Sequence, residues 1–506
     1  MRIFPVARRR VSALDQMNLP TIIQGGMGVA VSDWRLAKTV SELGYLGVVS
    51  GTGLGTILIG RLRGGDPGGH IRRALSQFPF QEPVQRILDN YFVPEGGRIR
   101  PYERPPMWTL KPSNSINALT VIANFVEVFL AKEGHNNPVG INLLEKIQLP
   151  TMASLYGAML AGVNIVLMGA GIPIQIPGIL DKLARHQVAS YRLDIVGSSP
   201  DDDYRLDFDP EVIFPGITEK IGPLNRPHFL PIISSVVLAR ALIKRATGRI
   251  DGFVIEAPIA GGHNAPPRGP LQINDKGEPI YGEKDEVDLD KIEKLGLPFW
   301  LAGGYGSPDR FQEALNMGAA GIQVGTAFAF CNESGLDNRI KQALLRKVLR
   351  GEASVRTDPI ASPTGFPFKI VDLEGSVSEK EIYEARPRNC DMGYLRHLYK
   401  QENGRIGYRC PAEPVEHYVK KGGALEDTVG RYCLCNNLFG SVSVHKYLKD
   451  GYIEPPVVTS GDEFVNIGQF IKPGESSYSA RDVIDHLTNG TTINLPVAKI
   501  PDFATL

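Results

Sequence analysis

An α/β fold of the (β/α)8 barrel type, with a helical insertion and an additional C-terminal region, is what this 506-residue sequence predicts. Two observations carry that prediction. Eight short runs rich in Val, Ile and Leu alternate with amphipathic stretches across residues 1–334, the pattern of parallel strands buried on both faces. Glycine clusters follow these runs directly, as in Gly51-Thr52-Gly53-Leu54-Gly55, and function in such folds sits in loops at strand C-termini. A doubly wound sheet would need a G-x-G-x-x-G turn after the first strand; Gly51, Gly53 and Gly55 have the wrong spacing.

Taken in order, the predicted strands are Thr21–Gln24, Leu46–Ser50, Val139–Leu143, Val163–Met168, either Leu193–Val196 or Leu230–Ser234, Gly252–Glu256, Phe299–Ala302 and Gly321–Val324. Between them, Ser32–Leu43 and Pro308–Met317 have helical periodicity, with Ser32 and Ser307 as N-caps. Two segments exceed simple connections. Residues 60–136 are rich in Pro, Arg and aromatics, and read either as helices packed on the barrel or as a wall over the strand ends. Residues 264–289 carry many charges and four early prolines and glycines (Pro266, Pro267, Gly269, Pro270), and read as a mobile flap. Beyond Ser334 the character changes. Residues 335–506 read as a helical and mixed extension, basic to Arg350 and then holding four of the five cysteines.

Composition narrows the function classes. Lys+Arg and Asp+Glu both number 55, so no net charge attracts nucleic acid or anionic membrane. The apolar segment Leu230–Ile243 is short and interrupted by Arg240, and a bilayer-spanning helix is not expected. Met1–Arg10 carries four arginines without a following apolar region, so a secretory signal is not expected either. Five cysteines do not suit a disulfide framework. A cytoplasmic protein is the expectation, with oligomerisation left open.

Chemistry concentrates at the ends of strands six to eight. Leu301-Ala-Gly-Gly-Tyr-Gly-Ser-Pro and Gln323-Val-Gly-Thr present backbone N–H groups at helix starts, where a phosphate can be held. His263 emerges from the sixth strand behind Gly261-Gly262, where the backbone can approach a flat ligand and an imidazole can carry a proton. The other histidines (His70, His135, His186, His228, His397, His417, His445, His486) lack such context. No H-E-x-x-H metal pattern or G-x-S-x-G nucleophile turn is present. Cys390, Cys410, Cys433 and Cys435 lie within 46 positions, yet Cys433-Leu-Cys435 is not a C-x2-C knuckle. They read as buried thiols, and no metal site is assigned.

Six motifs then occur in a familiar order: Ile23-Gln-Gly-Gly-Met-Gly, Gly140-Ile-Asn-Leu, Met168-Gly-Ala-Gly, Ala260-Gly-Gly-His, Leu301-Ala-Gly-Gly and Gln323-Val-Gly-Thr. Over residues 18–334 the chain resembles the FMN-dependent nitronate monooxygenase (2-nitropropane dioxygenase) family, which includes the enoyl-ACP reductase II enzymes. The resemblance implies a flavin TIM barrel with the FMN phosphate at Gly303, Gly304, Gly325 and Thr326. It implies the isoalloxazine against Gly25, Gly26 and Met27, with Asn142, Gly261, Gly262 and Gln323 as further contacts. His263 takes the place of the family's acid/base. One departure bears on the substrate rather than the flavin: Asn264-Ala-Pro-Pro intervenes before Arg268-Gly269.

The implied activity is oxidation of nitronates or nitroalkanes, with O2 as co-substrate and His263 as general base. An NAD(P)H-dependent enoyl-thioester reductase is the alternative. A non-catalytic flavin-binding scaffold is the reading of a different class.

Overall fold

A computed structural model describes residues 19–94, 96, 105–199, 201–445 and 451–490. The arginine-rich start, Met1–Arg10, lies outside the described residues. Eight parallel strands form the barrel: β1 Ile22–Gln24, β2 Gly47–Ser50, β3 Val139–Leu144, β4 Ile165–Gly169, β5 His228–Ile233, β6 Phe253–Glu256, β7 Phe299–Ala302 and β8 Gly321–Val324. They pair in the order β1-β8-β7-β6-β5-β4-β3-β2, and a parallel bridge from Ile23 to Leu46 closes the ring. The fifth strand is therefore Leu230–Ser234 of the two sequence alternatives. Ile195–Val196 lies outside the barrel and pairs with His397–Lys400. The reason is burial: Val196 is 50% exposed, whereas a barrel strand must be apolar on both faces.

Side chains alternate across each strand, so one set fills the ring and the other meets the helices. Ile23, Leu46, Val48, Ile165, Leu167, Leu230, Val254, Trp300 and Ala302 form the inner cluster. Trp300 plugs its lower part and donates its indole N–H to Pro20 O at 2.7 Å. The same alternation places Asn142, Glu256 and Gln323 on the inward face at the upper ends of β3, β6 and β8.

The described residues of 60–136 are mostly helical, including Gln81–Tyr91 and Asn114–Lys132. The latter packs on Trp34–Glu42 and on Thr151–Leu160 and so occupies the barrel-helix position between β2 and β3. It is, against the sequence expectation, long and apolar enough to cross a bilayer. Most of its residues are buried inside the protein, which is the pattern of a core helix. No described residue of 60–136 reaches the cavity at the strand ends. The described residues of that insertion pack on the barrel helices.

Segments of residues 335–445 and 451–490 line the cavity there. Val355–Asp358 and Phe368–Val371 form an antiparallel pair. The latter strand bridges to the segment after β6: Asn264 N donates to Pro367 O and Lys369 N to Gly262 O, both at 3.0 Å. Helix Ala480–Leu487 returns to pack on Trp34–Glu42. Phe464, Phe470, Tyr478 and Val483 join the same apolar core as the barrel helices. Barrel and extension therefore share one interior.

Trp300→Ala should cost about 3–5 kcal/mol by loss of the largest side chain inside the ring. Urea unfolding followed by far-ultraviolet circular dichroism measures it, and a change below 1 kcal/mol, roughly a surface-residue effect, would mean the ring is loosely filled.

Candidate active site

The loops above the strand ends enclose a cavity of about 530 Å3. Its position follows from the fold, but its glycines follow from local sequence. Ser32 does not cap the first helix: Asp33 does, accepting from Arg35 N at 2.9 Å and Leu36 N at 3.3 Å. Ser32 instead donates to Gly25 O (3.0 Å) and accepts from Met27 N (2.9 Å), which folds the Gly25-Gly26-Met27 loop over the floor. Ser307 caps Pro308–Asn316 as expected.

All twelve residues singled out from the sequence line this one cavity: Gly25, Gly26, Met27, Asn142, Gly261, Gly262, His263, Gly303, Gly304, Gln323, Gly325 and Thr326. Their chemistry suits a flat, polar-edged ligand ending in a phosphate. A Cβ on Gly26 would sit 2.3 Å from Asn142 Cβ, so only glycine allows that approach. Asn142 donates to Gly26 O at 3.1 Å, while Asn142 Oδ1 and Gln323 Oε1 are buried acceptors without a partner. Such atoms cost free energy unless a ligand donor meets them. Gly303 and Gly304 have φ of 84° and 82°, a left-handed turn that aims successive N–H groups one way. Among the described residues no hydrogen bond engages the N–H groups of Gly303, Gly304, Gly325 or Thr326. These donors, rather than a lysine, would hold a phosphate; Arg268 is the one Lys or Arg lining the cavity among the described residues.

Two of the twelve have a second task. A Cβ on Gly261 would meet Gly461 N at 2.7 Å, so this glycine admits the C-terminal region to the cavity. Thr326 Oγ1 accepts from Gly461 N at 3.0 Å and keeps its own O–H for a ligand.

His263 sits under the C-terminal region. Its Nε2 is 2.7 Å from Ser362 Oγ, its ring lies edge-on to Phe368 at 4.9 Å, and Ser362 reaches Thr364 Oγ1 at 2.8 Å. Burial lowers its pKa to about 4, so the ring is neutral at pH 7. The other histidines lie away from the cavity; His186, for example, pairs with Tyr156 OH at 2.7 Å.

Glu256 was missed as a site residue. It ends β6 and lines the same cavity, and burial raises its pKa to about 8. The signal was present in the strand alternation, which pairs Glu256 with inward-facing Val254. Glu463 was also missed: it accepts from Gly306 N at 3.0 Å beside the Gly303-Gly304 turn, and burial raises its pKa. Nothing in the sequence placed a residue so remote beside β7.

The flap is fastened at several points. Arg268 N donates to Asp285 Oδ1 at 2.8 Å, the Arg268 guanidinium reaches Ser234 O, and Glu278 Oε1 accepts from Thr357 N at 2.9 Å. Ala265, Pro266, Arg268, Tyr281 and Asp285 line the cavity rim, while residues 269–277 are exposed.

Residues 227–356 match the family model described as nitronate monooxygenase. A 144-residue segment is 26% identical to a Mycobacterium tuberculosis (3aS,4S,5R,7aS)-5-hydroxy-7a-methyl-1-oxo-octahydro-1H-indene-4-carboxyl-CoA dehydrogenase, covering 28% of this chain and 36% of that protein. A 117-residue segment is 29% identical to a probable nitronate monooxygenase of Staphylococcus haemolyticus, covering 23% and 31%. The matched segments thus span about a third of the length of these relatives. Among solved structures, FabK from Thermotoga maritima aligns over 96% of both chains at 15% identity, with a TM-score of 0.44.

The two displaced titrations predict a pH signature. Folded Glu256 keeps its proton to about pH 8, whereas the unfolded chain loses it near 4.5. Stability therefore falls as pH rises through that window. His263 acts oppositely between about 4 and 6.5. From pH 6.5 to 8 the Glu256 contribution stands alone of the two. Glu256→Gln should flatten the decline there, by roughly 1–2 kcal/mol at most; identical urea midpoints against pH for both proteins would show that Glu256 ionises normally.

Proposed function

We propose that this chain, a member of the nitronate monooxygenase family by its match over residues 227–356, binds FMN and oxidises nitronates or nitroalkanes with O2. The observation that carries the reading is the single cavity in which unengaged N–H donors, orphaned acceptors and a neutral imidazole meet. The Gly303/Gly304 and Gly325/Thr326 N–H groups would bind the one phosphate, and the sequence carries no dinucleotide fingerprint for a second after the first strand. Asn142 Oδ1 and Gln323 Oε1 would accept from the ligand's edge donors, over the surface left bare by Gly25 and Gly26. When bound, FMN supplies the electron acceptor that no side chain here provides.

The protein's own part is proton handling and exclusion of water. A neutral His263 can take the α-proton of a nitroalkane, with the Ser362 Oγ contact to Nε2 orienting the ring. The negative charge left on the substrate favours the imidazolium, raising a pKa that burial had lowered. A preformed nitronate needs no such step. Phe366, Phe368 and the Val458–Gly461 segment line the cavity, where displacing water from around a bound substrate would favour the proton transfer.

One observation favours the enoyl-thioester reductase alternative. Glu256 retains a proton at neutral pH in the same cavity, and reduction of an enoyl thioester needs a proton donor that neutral His263 is not. Anaerobic bleaching of the flavin separates the readings: nitronate alone bleaches it in the first, and NAD(P)H bleaches it in the second, with reoxidation by an enoyl thioester. Bleaching by neither leaves the scaffold reading.

The purified protein should be yellow and release FMN, not FAD, on denaturation. His263→Ala should keep FMN and lose roughly 10²–10⁴-fold in turnover of neutral nitroalkane, with a smaller loss for preformed nitronate. Equal turnover of both at wild-type rates, with flavin content confirmed, would remove His263 from the chemistry.

Shortening the flap across residues 270–277 should alter KM or specificity with FMN retained, because rim residues stay while the exposed arm goes. Loss of flavin in that variant would make the flap structural.

A further inference from the structure

The segment that covers His263 carries two hydroxyls in series. Ser362 is fully buried, and its Oγ lies 2.7 Å from His263 Nε2. Thr364 Oγ1 lies 2.8 Å from the same Oγ. Both residues lie beyond 227–356, the segment that matches the family model. We propose that Ser362 and Thr364 are positioning residues that hold the ring proton of His263 on Nε2 and aim the Nδ1 lone pair into the cavity. That Nδ1 then takes the proton of a nitroalkane rests on the function proposed above; the placement of the ring proton does not.

The direction of the chain follows from its donors. Two backbone amides can only donate: Thr364 N gives to Ser362 Oγ at 3.2 Å and Phe366 N to Thr364 Oγ1 at 3.4 Å. Each fills one of the two lone pairs of its oxygen. With the ring proton on Nε2, the imidazole donates to Ser362 Oγ and Ser362 donates to Thr364 Oγ1, so both oxygens are filled. The proton left over is that of the Thr364 hydroxyl. It belongs to a half-buried side chain beside exposed Gly365, where water can accept it. In the reverse arrangement Ser362 donates to Nε2 and the ring proton moves to Nδ1. Among the described residues no acceptor meets it there, because the one hydrogen bond of the ring is at Nε2. Orphaned N–H donors are rarer in proteins than under-used acceptors, since an unmade bond costs the full desolvation of the donor. Nor is Nδ1 sealed inside the protein without a partner. His263 lines the large cavity, and that is the open space its lone pair can face.

The covering segment is held firmly enough to impose this order. Arg431 Nη1 donates to Ser362 O at 2.7 Å, and Asp358 Oδ1 accepts from Ile360 N and Ala361 N, both at 2.9 Å. Phe368 lies edge-on to the imidazole at 4.9 Å and limits its rotation. When a nitroalkane gives up its proton, the Cα–H bond breaks, the electron pair stays on the nitronate, and an N–H bond forms at Nδ1. The imidazolium keeps its Nε2 proton on Ser362 Oγ, an acceptor already in place.

The test is the tautomer of the ring, read from two-bond nitrogen–proton correlations of full-length protein carrying nitrogen-15 histidine at pH 7, with His263→Gln for assignment. We expect the proton on Nε2. Thr364→Val leaves the Ser362 hydroxyl without its acceptor, so it turns to donate to Nε2. The spectrum should then move to the Nδ1–H form, and kcat for neutral nitroalkane should fall roughly 10²-fold or more, the scale of a base held in the wrong tautomer. Thr364→Ser should restore both. A wild-type ring protonated at Nδ1, or a Thr364→Val spectrum unchanged from wild type, would overturn the proposal. Equal losses of kcat in the Val and Ser variants would do the same, because they would show that the hydroxyl is not what matters. An Nε2–H ring in a protein that turns over no nitroalkane would support the positioning and refute only the nitroalkane reading.

Discussion

The hydrogen bonds joining the segment after β6 to the strand Phe368–Val371 are the constraint on which the site depends. Asn264 N to Pro367 O and Lys369 N to Gly262 O fix the backbone on either side of His263. Gly262 N adds a bond to Thr459 Oγ1 at 2.9 Å. A loop that would otherwise be exposed and mobile becomes part of a sheet-like arrangement. The imidazole then has one address, between Ser362 and Phe368.

The electrostatics follow from that closure. Covering the strand ends removes water from groups that the barrel itself would leave wet. Desolvation disfavours whichever form is charged, so it drives His263 down and Glu256 up from one physical cause. Both groups are consequently neutral at pH 7, one able to accept a proton and the other able to give one. Opposite shifts of this kind let one group accept and another give a proton within the same desolvated cavity. The extension is also what brings Glu463 to the Gly306 amide and Gly461 to Thr326.

Much of this was legible before any coordinates. The apolar runs marked all barrel strands because a parallel strand buried on both faces leaves a continuous signature. The glycine motifs marked the cavity because tight βα turns and close backbone approach admit little else. Errors arose where local sequence is ambiguous. Ser32 and Asp33 are both good caps, and only the geometry of the Gly25–Met27 loop decides between them. Leu193–Val196 and Leu230–Ser234 are similar runs whose burial depends on tertiary context. The contributions of Ser362, Phe368 and Glu463 left no trace, because contacts across roughly a hundred residues or more carry no short-range pattern.

The most direct measurement is the titration of the His263 ring in full-length protein, followed by imidazole nitrogen or carbon chemical shifts with His263→Gln used for assignment. The account predicts a ring that stays neutral through pH 5–8 and protonates only near pH 4. A midpoint close to the ordinary value of 6.5 would mean that water reaches the ring. The C-terminal region would then not seal the site as described.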